Sequence, residues 1–234
     1  MSKILFFCSW YSEKHAERLQ ELITCVNKCL NSPDLDMVYL LCEGGASFPQ
    51  QHEKLKEIPV STRPTYEDFF LLANAMSEPN DVLIISNSDI FPELGTRNFL
   101  EQLKEGQCWA LSRWDKQPNG EIVHLRRKDS QDCWIFRSPI KPIRANFLLG
   151  KGGCDNAIAL WIREAGYDIT NPSCDVKFCH LHLTGVHNYI PGVDSIPAPY
   201  LLIEPTHLGI VDGRKYQIDW TPSVNRPITP HTTE

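Results

Sequence analysis

Asp81-Val82-Leu83-Ile84-Ile85-Ser86-Asn87-Ser88-Asp89-Ile90 decides how this chain folds. A continuous apolar run of this kind reads as a strand covered on both faces, and here it ends in a short polar triplet closed by a carboxylate. Upstream, Lys3-Ile4-Leu5-Phe6-Phe7-Cys8 has the same pattern, and Ser12 followed by Glu13 supplies the chemistry of a helix start. Leu19, Leu22, Ile23, Val26, Cys29 and Leu30 then give that helix one apolar face, and Asn31-Ser32-Pro33-Asp34 stops it. Asp36 to Cys42 is another buried strand, ended by Glu43-Gly44-Gly45, and a helix from Thr65 to Ser77 leads into the opening stretch. Strands alternating with helices predict a parallel sheet. Such sheets take ligands beyond the carboxyl ends of their strands, so Cys8 to Trp10, Glu43-Gly44 and Asn87 to Asp89 are expected to meet.

Downstream the pattern changes. After a helix near Thr96 to Leu103, the segments Cys108 to Ser112, Ile122 to Leu125 and Cys133 to Phe136 read as shorter strands joined by polar turns. Asp155 to Ala165 is a helix closed by Gly166, and a strand from Asp175 to Cys179 precedes a His-rich loop. The fold class is therefore α/β, a mixed, mostly parallel central sheet flanked by helices, with a more antiparallel C-terminal half. Residues 1–218 are expected to form one domain, and residues 219–234, dominated by Pro, Thr and Asn from Trp220 on, a loosely ordered tail.

A net charge of −6 over 234 residues, with acids and bases interspersed, leaves no basic stripe for a phosphate backbone, so nucleic acid is not an expected partner. The longest apolar runs fall far short of the roughly 20 residues that cross a bilayer. Nine cysteines without a CxxC pair, several inside apolar strand patterns, suit a reducing cytoplasm.

Three features carry candidate chemistry. Asp89 closes Asn87-Ser88-Asp89 where a ligand crevice is expected; a hard divalent cation such as Mg2+ or Mn2+ needs only one or two carboxylates there beside substrate phosphates, whereas a turn-forming Asp would look the same. Gly150-Lys151-Gly152-Gly153-Cys154-Asp155 delivers an acid to the first turn of a helix, either as a base or as an ordinary cap. In Cys179-His180-Leu181-His182 alternation turns His180 and His182 to one side, so that either can reach a metal. A zinc site of Cys174, Cys179, His180 and His182 fits poorly, because Cys179 points away from both histidines.

Taken in order, these features resemble the GT-A glycosyltransferases over roughly residues 3 to 183. Their metal motif is an Asp-x-Asp triplet at the end of a central strand; Asn87 stands in place of its first acid. The resemblance implies that Asp89 ligates Mn2+ or Mg2+ bridging the two phosphates of a UDP- or GDP-type sugar donor, that Asn87 faces the ribose, and that His182 or His180 completes the metal shell. It makes Gly152-Gly153-Cys154-Asp155 similar to the loop that supplies the base of inverting enzymes, with Asp155 deprotonating an acceptor hydroxyl on a glycan or other molecule. It assigns Ser9, Trp10, Arg63 and Tyr66, with Ser88, to the nucleotide. Arg113, Trp114, Asp132 and Trp134, beside Gly152 and Gly153, are candidates for lining the sugar or acceptor, since Trp faces stack on sugars and paired acids and amides read hydroxyls. A module on the same fold that binds a nucleotide sugar or glycan without transfer is the alternative. A sugar nucleotidyltransferase would need a Gly-rich, basic phosphate loop after the first strand, which Cys8-Ser9-Trp10-Tyr11-Ser12 does not offer.

Overall fold

Side-chain alternation along β1 (Ile4–Trp10) splits the core in two. Ile4, Phe6, Cys8 and Trp10 enter one apolar layer, with Leu22, Cys25, Val26 and Cys29 of α1 (Ala16–Leu30). Leu5 and Phe7 enter the opposite layer. A strand that must be apolar on both faces is what the unbroken run at residues 4–8 encodes. The computed structural model describes residues 2–186, 194–209 and 216–219.

Further along the chain come β2 (Met37–Glu43), β3 (Leu55–Val60), α2 (Tyr66–Met76), β4 (Val82–Ser86), β5 (Ile90–Pro92) and the short α3 (Arg97–Leu100). They are followed by β6 (Gln107–Leu111), β7 (Trp114–Lys116), β8 (Ile122–His124), β9 (Cys133–Arg137), α4 (Cys154–Glu164), β10 (Asp168–Thr170), β11 (Phe178–His180), β12 (Tyr200–Ile203) and β13 (Tyr216–Asp219). A seven-stranded sheet runs in the order β10-β6-β9-β4-β1-β2-β3. Only β9 opposes its neighbours, pairing antiparallel with both β4 and β6. Tyr66, Phe69, Phe70 and Ala73 of α2, and Ile158, Ala159 and Ile162 of α4, cover the face opposite α1. The mixed, mostly parallel α/β architecture is thus present, and every antiparallel pair among the described strands takes at least one strand, β8, β9, β11, β12 or β13, from the second half of the chain.

A second sheet, β5-β11-β7-β8, positions the site. β11 lies antiparallel to β5, with His180 opposite Ile90, and parallel to β7, with His180 opposite Asp115. Leu181 N–H donates to the carbonyl of Asp89 at 3.0 Å, extending that register to the residue between the two histidines.

Several boundaries differ from expectation. α1 begins at Ala16, because the Glu13 carboxylate accepts the His15 N–H at 2.9 Å and holds residues 13–15 in a turn. β3 has no counterpart in the sequence reading: it is a half-exposed edge strand containing Pro59, and shows no buried run. The helix after β5 shrinks to residues 97–100, and the strand expected from Asp175 starts at Phe178, since Asp175 and Val176 N–H groups both turn back to the Pro172 carbonyl. By contrast, α2 has the N-terminus its sequence predicts: Thr65 and Asp68 form a reciprocal capping box. β13 runs to Asp219; the rest of the expected tail, and residues 187–193, lie outside the described residues.

Candidate active site

Asp89 is the centre of a buried polar cluster at the carboxyl-terminal edge of the main sheet. It follows β4 directly, and its Oδ2 gathers three groups: Arg18 Nη2 at 2.5 Å, His180 Nε2 at 3.2 Å and His182 Nδ1 at 3.8 Å. One ligand atom from each of Asp89, His180 and His182 can be chosen so that all lie within 4.8 Å of one another. The cysteines of the alternative zinc reading do not join them: among the described residues this is the one such cluster, and Cys179 faces the apolar layer.

Each histidine is oriented by its far nitrogen. His180 Nδ1 lies 2.7 Å from Asp115 Oδ1, and His182 Nε2 lies 2.9 Å from the Val186 carbonyl. An imidazole that donates from its far nitrogen to an oxygen turns the other toward whatever lies opposite, as metal-binding histidines usually do. Both near nitrogens here face the same carboxylate oxygen, so His180 and His182 both belong to the cluster around Asp89. Burial works against charge on His180. The attraction of Asp89 and hydrogen bonds to Asp115 and Asp89 outweigh it and push the His180 imidazole up to about 9. Burial would likewise raise the Asp89 carboxyl, but His180 and Arg18 hold it far below the usual carboxylate range.

From Asp115 the network continues. Arg113 Nε donates to Asp115 Oδ1 at 3.0 Å, and its Nη1 donates to both oxygens of Asp132 at 3.1 and 3.2 Å. Asn87 Nδ2 donates to Asp132 Oδ1 at 2.7 Å, and its backbone N–H to the Asp132 carbonyl at 3.1 Å. Asn87 therefore joins the end of β4 to the start of β9, where a second acid would repel Asp132.

Asp155 stands in the first turn of α4, with Gly153 rather than Asp155 as the N-cap. Its Oδ2 accepts the Gln131 N–H at 3.2 Å, placing it beside the strand start that carries Asp132. Burial, and then the charge of Asp132, push the Asp155 carboxyl up to about 7. The glycines before it make room for protein groups. A Cβ on Gly150 would meet Arg63 Nη2 at 2.8 Å, one on Gly152 would meet Ser195 Oγ at 2.8 Å, and one on Gly153, at φ +72°, would meet the Tyr200 hydroxyl at 2.8 Å. Arg63 Nη2 donates to the Leu149 and Gly150 carbonyls, tying this loop to the entry of α2.

Not every expected contact residue reaches the site. Tyr66 and Trp134 are 0% exposed and Trp10 is 3% exposed; Tyr66 packs edge-on against Trp134, and Trp10 against Phe48. None of these rings has a face left for a base or sugar. Trp114 stacks on His124, carries Lys177 Nζ 4.6 Å above its ring, and donates from Nε1 to the Ser173 carbonyl. Ser9 and Ser88 do meet, with hydroxyl oxygens 3.0 Å apart. The aromatic that senses the cluster is Tyr11, half-buried one residue past β1. Burial raises its phenol first of all, and Arg18, Asp89, Glu13 and Arg63 all act on it. Alternation explains the exchange: Trp10 is the last inward residue of β1. Arg18, inside an ordinary amphipathic helix, carries no sequence signal for this role.

This topology, with a carboxylate after β4 and a crossing antiparallel β9, is a GT-A-like fold. The chain is similar to a mannosyltransferase from Pyrobaculum calidifontis determined with GDP-Man and Mn2+, at a TM-score of 0.50 and 12% identity over 80% of this chain and 59% of that one. It thus spans about 59% of that protein's length. Likeness to GalNAc-T7 with UDP, GalNAc and Mn2+ is weaker, at TM-score 0.48 and 10% identity over 84% of this chain and 46% of that one. A candidate glucose-1-phosphate thymidylyltransferase from Bacillus anthracis matches at TM-score 0.42 and 10% identity, covering 73% and 86%. No family model and no curated protein matches the sequence. Among the described residues no helix is long and apolar enough to cross a membrane.

Proposed function

We propose that this protein is a glycosyltransferase that passes a sugar from a UDP- or GDP-type donor to an acceptor hydroxyl with inversion, assisted by Mn2+ or Mg2+. The observation that carries the reading is the convergence of Asp89, His180 and His182 at the ligand edge of a GT-A sheet, linked through Asp115, Arg113 and Asp132 to the neighbourhood of Asp155. One carboxylate and two oriented imidazoles fit a borderline-hard divalent cation, which would neutralise charge developing on the departing diphosphate.

The remaining chemistry belongs to the side chains. Asp155, poised at about 7, takes the acceptor proton as the acceptor oxygen bonds to the anomeric carbon; the bond from that carbon to the diphosphate oxygen breaks, and nucleoside diphosphate leaves. A base matched to neutral pH follows from its burial near Asp132. Arg113 pairs with both Asp132 and Asp115, and Asn87 brings an amide rather than a charge to the end of β4. Tyr11, Ser9 and Ser88 form the nucleotide side, and Arg63 supports the Gly-rich loop. Nine free thiols, nearly all buried, support a cytoplasmic location.

A non-catalytic binding module is the second reading, favoured by Arg18 already pairing with Asp89 and by Asn87 in place of an acid. Incubation with Mn2+ and a panel of nucleotide sugars separates the two. Slow release of nucleoside diphosphate supports the transferase; binding without turnover supports the module.

A further inference from the structure

The inward face of α1 carries two charged residues among its apolar ones. Arg18 and Glu21 are 5% and 8% exposed, and they pair at 2.9 Å through Nη1 and Oε2. A buried ion pair is a poor source of stability, because desolvation consumes most of what the attraction returns; its better-attested use is to fix one arrangement over others. The partners of this pair show which arrangement that is. Arg18 Nη1 also donates to the Leu181 carbonyl at 3.2 Å, and Nη2 holds Asp89. Glu21 Oε1 accepts the N–H groups of Leu183 at 2.7 Å and Thr184 at 2.9 Å, while Oε2 accepts the Thr184 hydroxyl at 3.0 Å. The backbone on either side of His182 is therefore gripped by one helix, and the same helix grips the carboxylate that His182 faces.

We propose that Glu21 is a positioning residue of the cation site, clamping residues 183–184 and, through Arg18, registering the His180-Leu181-His182 segment against Asp89. The proposal rests on the reading of Asp89, His180 and His182 as cation ligands. Beyond Leu181 the segment has left the β5 ladder, and this clamp and the bond to the Val186 carbonyl are among the contacts that orient His182. Glu21 bonds to Arg18, Leu183 and Thr184, so it acts on the histidines and Asp89 through backbone and through Arg18.

Binding of Mn2+ to the full chain, followed by the electron paramagnetic resonance signal of free Mn2+ with and without UDP or GDP, tests this. Wild type binds and His182→Ala does not. Glu21→Ala weakens binding by about 10–100-fold, the usual cost of removing a group that orients a metal ligand. Glu21→Gln recovers part of the loss, because its amide oxygen still accepts from Leu183 and Thr184. Thr184→Val, which removes one hydroxyl and keeps the shape, gives a smaller loss in the same direction and guards against misfolding of the alanine variant. Hydrogen exchange at the Leu183 and Thr184 amides speeds up in Glu21→Ala. Wild-type affinity in both Glu21→Ala and Thr184→Val overturns the clamp while leaving the cation site standing. Failure of the wild type to bind Mn2+ under either condition removes the cation reading and the clamp with it.

Discussion

Replacing Asp155 by Asn should stabilise the fold at alkaline pH, because the environment that readies this carboxyl for proton transfer also makes its ionisation costly. The group moves from an ordinary value of 3.8 to about 7 in the folded chain. At about 1.4 kcal/mol per tenfold in proton affinity, that gap sets a ceiling of about 4 kcal/mol. Between the two values the folded state holds a proton that the unfolded state has released, so wild-type stability falls as pH rises through this window and levels off above about 7. From pH 5 to pH 8 the loss is at most about 3 kcal/mol; the side chain keeps partial contact with solvent, which reduces the expectation to about 1 kcal/mol. Asn does not titrate, and the remaining groups, His180 included, titrate in both proteins and cancel to first order. Urea unfolding of wild type and Asp155→Asn at pH 5 and pH 8 reads the difference directly. The advantage of the Asn variant should grow with pH while its transferase activity is lost. An advantage that is flat with pH, or a wild type that gains on the variant at pH 8, would refute the argument.

Turnover should rise with pH to an inflection near 7, and Asp132→Asn, which removes the repelling neighbour, should move that inflection toward lower pH; an unmoved profile means that Asp132 does not tune the base. Gly153→Ala adds a Cβ at φ +72° against the Tyr200 ring, and should cost more than about 1 kcal/mol in denaturant titration. Asp68→Ala breaks the α2 capping box and should cost about 1 kcal/mol, read as a lower thermal midpoint with activity retained below it.

The central strands were readable because burial on both faces leaves an unbroken apolar run, as at Ile4 to Cys8 and Val82 to Ile85. The α2 cap was readable because Thr65 and Asp68 bond within four residues of sequence. β3 was not: it is an edge strand whose pairing with β2 comes from the sheet and not from its own pattern. The same division runs through the site. Asp89, His180, His182 and Asp155 each sit at the end or start of an element, where a polar residue interrupts an apolar pattern. Arg18 and Glu21 occupy ordinary positions on an amphipathic helix, and only the packing of the second sheet against α1 gives them a role. Tyr66 and Trp134 misled for the opposite reason. Large aromatics near a ligand edge have the composition of a binding surface, yet alternation on β9 and the first turn of α2 send them into the core.

On this reading Asp89, His180 and His182 hold a cation that also holds a nucleoside diphosphate. Anomalous diffraction at the manganese edge, from crystals grown with Mn2+ and UDP or GDP, tests it most directly. One peak is expected about 2.0–2.3 Å from an Asp89 oxygen and an imidazole nitrogen, the span of ordinary metal bonds to such ligands, and in contact with diphosphate oxygens. A nucleotide bound at this edge with manganese elsewhere, or with Arg18 still closing on Asp89 and no metal beside it, would contradict it.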